Sequence, residues 1–251
     1  MDSGESFLQI LNLTFPLIDN VKVPLHHLRL DKNIFHQPQH VFYNYKEALA
    51  QWFENCFEDS TTAKPFLELN PSEDILRKYD LGIFQYFTVH SGSDCAPKNW
   101  APKNYEKVIN KLLEIYPKIH CVSLVGPQDT ELFQNEKSVR FHSIQTDIKE
   151  VTHIISGSLF HVDNDSGVHH LAGALNVPSI TVFGPTGPGS WASLTSQNLI
   201  NWGGAACDHH CGGEKMSECQ QRVCLSSVQV DSVVKSADDI LAQYSHLNEG
   251  S

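Results

Sequence analysis

The sequence has no excess of positive charge: 18 Lys and Arg stand against 29 Asp and Glu, for a formal net charge of −11 at pH 7. A general nucleic-acid binder carries a basic footprint, and a broad anionic-membrane surface needs clustered cations, so neither is expected. No apolar run approaches the ~18 residues that a membrane span requires. The opening Met1-Asp2-Ser3-Gly4-Glu5 is acidic where a secretory leader is basic. These absences predict a cytoplasmic protein without a transmembrane segment. Internal repeats and low-complexity segments are also missing. Seven cysteines are few for a disulfide scaffold of 251 residues, and no Cys-x-x-Cys pair occurs.

What is present, 41% hydrophobic and 19% charged residues, fits an ordinary globular chain. From about residue 81 onward, strand and helix signals alternate. Phe84 to Val89 reads as a buried strand running into His90-Ser91-Gly92-Ser93. Pro102 opens a helix with Tyr105, Val108, Ile109, Leu112 and Leu113 on one face. Cys121 to Val125 is a second strand, stopped by Gly126-Pro127. A helix around Ile148, Val151 and Ile155 leads to a strand at Leu159 to Val162. Asp165-Ser166-Gly167 opens a helix through Leu171 and Leu175, which stops before Pro178. Ser179 to Phe183 is a further apolar strand, broken by Gly184-Pro185-Thr186-Gly187. The last helix carries Val230, Val233, Val234, Ala237, Ile240, Leu241 and Tyr244 on one face.

Alternation of this kind predicts an α/β domain, a Rossmann-like parallel sheet covered on both faces, over residues 81–245. Such a sheet binds ligands at the carboxyl ends of its strands, where the Gly- and Ser-rich turns after Val89, Val162 and Phe183 fall. Residues 1–80 read as a reduced, partly helical N-terminal segment. Helices are expected from Tyr45 to Phe57, with Leu49, Trp52, Phe53 and Cys56 on one side, and near Asn70-Pro71 with Glu73 in the first turn.

The segment from His161 to Leu175 places a small polar turn between a strand and a helix. The first amides of that helix and the positive end of its dipole suit a diphosphate. Ser166 and Gly167 allow a ligand to approach the backbone. Asp165 repels a diphosphate, so a sugar or ribose hydroxyl, or a helix cap, is its better partner. Asp163-Asn164-Asp165 also imitates a metal-binding Asp-x-Asp, a reading set aside because both carboxylates flank the start of a phosphate-cradling helix. Taken singly, Lys98 would be a solvated lysine, His170 a packed histidine and Trp100 a packing residue for the helix that follows. His169 and His90 are left open.

Together these residues resemble the signature of the family-nine glycosyltransferases, the heptosyltransferases of bacterial surface-glycan synthesis. The family shows an Asp-Ser/Thr-Gly turn, His-Leu-Ala on a helix, a Pro, and Phe-Gly-Pro-Thr after the next strand. Asp165, Ser166, Gly167, His170, Leu171, Ala172, Pro178, Phe183, Gly184, Pro185 and Thr186 match it. Ser91-Gly92-Ser93, followed by Lys98-Asn99-Trp100, matches the family's Gly-Ser turn and Lys-x-Trp element. The resemblance implies the donor-binding, C-terminal half of a GT-B fold. It places Ser91, Gly92, Ser93, Lys98, Asp165, Ser166, Gly167, His170, Gly184 and Thr186 around a nucleotide sugar, with ADP-heptose the expected donor. The implied reaction is inverting transfer of the sugar to a hydroxyl of a glycan or protein, with no catalytic metal. In this family an early Gly-Asp element supplies the acceptor contacts and general base; no such element is found in residues 1–80, and no catalytic residue is assigned. A whole active site in this chain alone is therefore not expected. The alternative is a non-catalytic nucleotide-sugar-binding or assembly module; a sugar-nucleotide epimerase of similar architecture fits the loop order less well.

Four cysteines, Cys207, Cys211, Cys219 and Cys224, fall within eighteen residues of a segment spanning 203–225. Four thiolates suit a closed tetrahedral site for structural iron or zinc, although the spacing is irregular and loop thiols remain the alternative. The cluster resembles the cysteine finger of autotransporter heptosyltransferases, which holds iron; in the assembly-module alternative the finger mediates contacts of a homo-oligomer, and a partner chain is the other expectation, as what completes the missing acceptor half. His209 and His210 are substitutes or bystanders.

Overall fold

The computed structural model describes residues 66–93, 95–127, 129, 131–133, 139–194, 197–207 and 214–243. The helix expected at Tyr45 to Phe57, Tyr244 at the end of the last helix, and Cys211, His209 and His210 lie outside these residues. The chain divides into two compact units, 1–67 and 68–251. The second begins ahead of the short helix expected near Asn70-Pro71, α1 (Glu73–Lys78), whose Leu76 joins the core beside Tyr86 and Ile154.

The second unit is built on six strands: β1 (Tyr86–His90), β2 (His120–Leu124), β3 (Phe141–Ile144), β4 (His161–Asn164), β5 (Ser179–Phe183) and β6 (Asn198–Trp202). Their order is β3-β2-β1-β4-β5-β6, and every pairing is parallel. The chain leaves β1 toward one edge and returns through β4 toward the other. The crevice between β1 and β4 is thus the point where strand order reverses, the place where open α/β sheets take ligands.

Between the strands run α2 (Pro102–Ile115), α3 (Ile148–Ser156), α4 (Gly167–Ala174) and the single turn α5 (Pro188–Trp191), and after β6 come α6 (Glu214–Glu218), α7 (Val223–Ser226) and α8 (Val230–Leu241). The apolar face expected for α2 is the face buried: Tyr105, Val108, Ile109, Leu112 and Leu113. It packs with Val233, Val234, Ala237, Ile240 and Leu241 of α8 over Phe87, Val89, Val162, Ile180 and Val182. The other sheet face holds Tyr86, Val122, Leu124 and Ile144, covered by Leu76, Ile154, Ile155 and Ala172 from α1, α3 and α4. Each fully buried Leu or Ile side chain contributes about 1.5–3 kcal/mol, so these two layers stabilise the central strands that carry the loops.

Some strand bounds shift, and two strands are new. Phe84 stands outside β1, exposed and at φ 55°, and the strand starts at Tyr86. β4 starts at His161, two residues after the expected start at Leu159, and runs to Asn164, so His161, Asp163 and Asn164 sit wholly buried in the sheet. β3 and β6, absent from the sequence reading, are the two edge strands. Edge position leaves most of their residues half-exposed, which removes the continuous apolar run of a central strand.

Candidate functional site

The loops after β1, β4 and β5 meet at Asp165. Its Oδ2 lies 2.9 Å from Lys98 Nζ and accepts a 2.7 Å hydrogen bond from the Thr186 hydroxyl. The Asp165 side chain is 4% exposed and that of Lys98 is 21% exposed, so the pair is a largely desolvated one at the lip of the crevice. Lys98 closes a 3-10 turn (Ala96–Lys98), and its ammonium also stands 5.5 Å from the ring centroid of Trp191.

One residue along, Ser166 rather than Asp165 caps α4, its Oγ accepting from the amide of His169. The same hydroxyl is 3.5 Å from His90 Nδ1. His90 Nε2 is 3.1 Å from Asp129 Oδ2, which also accepts a 2.6 Å bond from the Gly126 amide. These contacts, the His90 bond foremost, hold the Asp129 carboxyl below the ordinary range against the opposing effect of burial. A Cβ at Gly92 would lie 1.8 Å from the Asp129 carboxylate, so this glycine is explained by close approach of the loop after β2. A Cβ at Gly184 would meet the Leu225 side chain at 2.6 Å, and packing of α7 accounts for that residue.

Asn164 ties the site together and escaped the sequence reading. Its Nδ2 donates to the Ser91 carbonyl at 2.7 Å, while its Oδ1 accepts from the Trp100 amide and the Tyr105 hydroxyl, both at 2.8 Å. Burial, reinforced by Asp163, pushes the Tyr105 phenol up, so it stays a donor. Trp100 itself packs edge-on against Tyr105, ring centroids 5.2 Å apart. One buried amide thereby fixes both ends of the loop that carries Lys98. Within that loop Ser93 Oγ donates to Asn99 Oδ1 at 2.6 Å. The available signal was a carboxamide in a run that otherwise alternates through a buried strand.

A second buried polar group lies beneath α4. His169 Nε2 accepts a 2.6 Å bond from the Ser193 amide, which leaves Nδ1 as the protonated nitrogen facing Thr181 Oγ1 at 2.9 Å. His161 Nδ1 contacts Thr88 Oγ1 at 2.8 Å, and its Nε2 is 3.3 Å from Asp163 Oδ2. Burial drives His161 down to about 3 and pushes Asp163 well above the carboxylate range. A protonated Asp163 opposite a neutral His161 satisfies both directions. The buried histidine of the His-His pair is therefore His169, whereas His170 is exposed on α4. Gly167 has nothing within 4 Å of a would-be Cβ, so the first turn of α4 opens onto free space.

Of the cysteine cluster, Cys224 is buried in the core over α8 and Cys207 packs against the same cluster, while Cys219 is half-exposed. Among the described residues no group of three His, Cys, Asp or Glu side chains is placed to hold a metal ion.

The family model described as Glycosyltransferase family 9 (heptosyltransferase) matches residues 38–220. The chain belongs to this family. Within family 9, a lipooligosaccharide heptosyltransferase 2 of Haemophilus influenzae is 27% identical over 161 residues, which are 57% of this chain and 46% of the relative. An E. coli ADP-heptose LPS heptosyltransferase II superposes with a TM-score of 0.60 at 18% identity, covering 75% of this chain and 56% of that one. The iron-containing dodecameric glycosyltransferase TibC of enterotoxigenic E. coli gives 0.53 at 16% identity, covering 72% and 50%. These likenesses agree with the GT-B-type α/β fold. The matched part of the chain spans 46% and 34% of the length of two lipooligosaccharide heptosyltransferase 2 relatives, from Haemophilus influenzae and Haemophilus ducreyi.

Proposed function

We propose that this family 9 chain binds a nucleotide sugar in the crevice between β1 and β4, with ADP-heptose the preferred donor, and serves transfer of the sugar to a glycan or protein hydroxyl with inversion. The carrying observation is the meeting of Lys98, Asp165 and Thr186, from three separate loops, beside the open first turn of α4. The diphosphate is assigned to the amides of Ser166 and Gly167, where the helix dipole and unpaired N–H groups favour negative charge. Ser91, Ser93 and His170 line the approach. Asp165 takes sugar hydroxyls, and Lys98 offsets its charge so that carboxylate and diphosphate can be neighbours. As the bond to the sugar breaks, charge grows on the diphosphate, and fixed amides plus one ammonium stabilise it without a divalent ion.

The relatives' names supply the heptose and the link to lipopolysaccharide assembly, and the site chemistry is compatible with both. A structural iron or zinc at Cys207, Cys211, Cys219 and Cys224 belongs to the same reading on the strength of thiol number and the resemblance to a cysteine finger, not of the irregular spacing. No step of the reaction is routed through it.

Calorimetry with ADP, GDP and UDP and their sugars tests the proposal: saturable binding, strongest for an ADP-sugar, is expected. Flat titrations with all of them would overturn it. Elemental analysis of purified protein tests the metal, which should be present in wild type and lost in Cys219→Ser.

A further inference from the structure

We propose that Trp191 is the platform on which the sugar ring of the bound nucleotide sugar stacks, an inference that rests on the donor-binding reading above. Trp191 ends the turn α5, where its amide donates to the Gly187 carbonyl at 3.2 Å and the Ala192 amide donates to Pro188 at 2.8 Å. Just beyond, the Ser193 amide is tied to the wholly buried ring of His169 at 2.6 Å, and Ala192 is itself buried. The backbone beneath the indole is thus anchored to α4, the helix assigned to the diphosphate. The indole above it is 36% exposed. A large aromatic held on a fixed turn yet left partly in water serves binding better than packing.

Its neighbours identify the occupant. The ammonium of Lys98 lies 5.5 Å from the indole centroid and 2.9 Å from Asp165 Oδ2, on which Thr186 also converges. A pyranose presents a hydroxyl edge and an apolar C–H face. Carboxylate, ammonium and hydroxyl satisfy the edge, and an adjacent indole covers the face. The cation near the ring favours one ring orientation before the ligand arrives. Because Asp165 and Lys98 are assigned to the sugar and the diphosphate, the ring that the Lys98 ammonium faces is assigned to the sugar and not to the base. Neither the family signature in the sequence nor the polar site singles out this residue.

The test compares the full chain with Trp191→Ala and Trp191→Phe, using calorimetry with ADP-heptose, or whichever nucleotide sugar the wild type binds, set against its parent nucleotide. Trp191→Ala should weaken nucleotide-sugar binding by about five- to tenfold, the scale of one aromatic contact, and leave the parent nucleotide unchanged. Trp191→Phe should keep most of the affinity. Equal weakening for sugar and parent nucleotide would move the ring to the nucleoside side and overturn the proposal, as would no weakening for either. If the wild type binds no nucleotide or nucleotide sugar, the donor-binding reading fails first and this inference falls with it. Thermal melts of both variants, expected to match the wild type because the ring is partly exposed, separate lost binding from lost fold.

Discussion

Lys98 and Asp165, 67 positions apart in the sequence, form a 2.9 Å ion pair across the mouth of the β1–β4 crevice. Removing one partner of a buried pair leaves an uncompensated charge. Lys98→Met should therefore destabilise the protein by about 2 kcal/mol, less than for a fully buried pair because the lysine retains some solvent. It should also weaken ADP binding. Lys98→Met combined with Asp165→Asn should recover most of the stability and none of the affinity. Urea denaturation and calorimetry on the three proteins check this; a single variant as stable as wild type would refute the structural half.

Asn164 offers a test of positioning. Asn164→Leu keeps the branched shape but abandons the Ser91 carbonyl, the Trp100 amide and the Tyr105 hydroxyl. Each buried group left unsatisfied costs about 1–3 kcal/mol, so a loss of several kcal/mol is expected, with weaker ADP binding in whatever fraction stays folded. Asn164→Asp, which keeps both acceptor bonds but not the donor, should fall between.

Gly167 separates stability from binding. Alanine there meets nothing within 4 Å and sits in the first turn of α4. Reduced freedom of the unfolded chain should raise stability by about 0.4–1 kcal/mol, while the methyl stands where the diphosphate approaches the backbone. A higher Tm with weaker ADP binding is the expected result; equal affinity would show that no ligand comes close to this position.

The buried Asp163 predicts a pH dependence. Its folded-state pKa is raised, chiefly by burial, so the folded chain keeps a proton that the unfolded chain releases above about 3.8. Stability is then lost as pH rises from there toward the folded value. Asp163→Asn keeps the shape of the side chain beside His161 and has no carboxyl to titrate. Its Tm should exceed that of wild type by a few degrees at about pH 8, where about 1 kcal/mol shifts Tm by about 2–4 °C, and the difference should shrink toward about pH 4. His161, pushed down to about 3, works in the opposite sense, losing stability as pH falls from about 6.5. A Tm difference independent of pH would show that Asp163 is ionised in the fold.

Much of the fold was legible because central strands and amphipathic helices write their burial into the order of residues. Tyr105, Val108, Ile109 and Leu112 recur at helical spacing and are buried together. Ser179–Phe183 is apolar where it crosses the sheet. The edge strands β3 and β6 were not legible, because half-exposed strands lack that contrast. The start of β4 was misplaced for the opposite reason: its buried residues are polar, and their burial is made tolerable by partners far away in the sequence.

For the site, residue order determined which loops carry polar and small side chains, and the order of those loops along strands and helices fixed their common edge of the sheet. Local sequence cannot specify a contact across 67 positions. The Ser166 cap is a local contact, but that Asp165 pairs with Lys98 and Thr186, that Asn164 clamps the lysine loop, and that His169 rather than His170 is buried were decided by the parallel packing of β1, β4 and β5. Parallel register sets those side chains at one level and excludes water from them, and only then do their hydrogen bonds have a single arrangement.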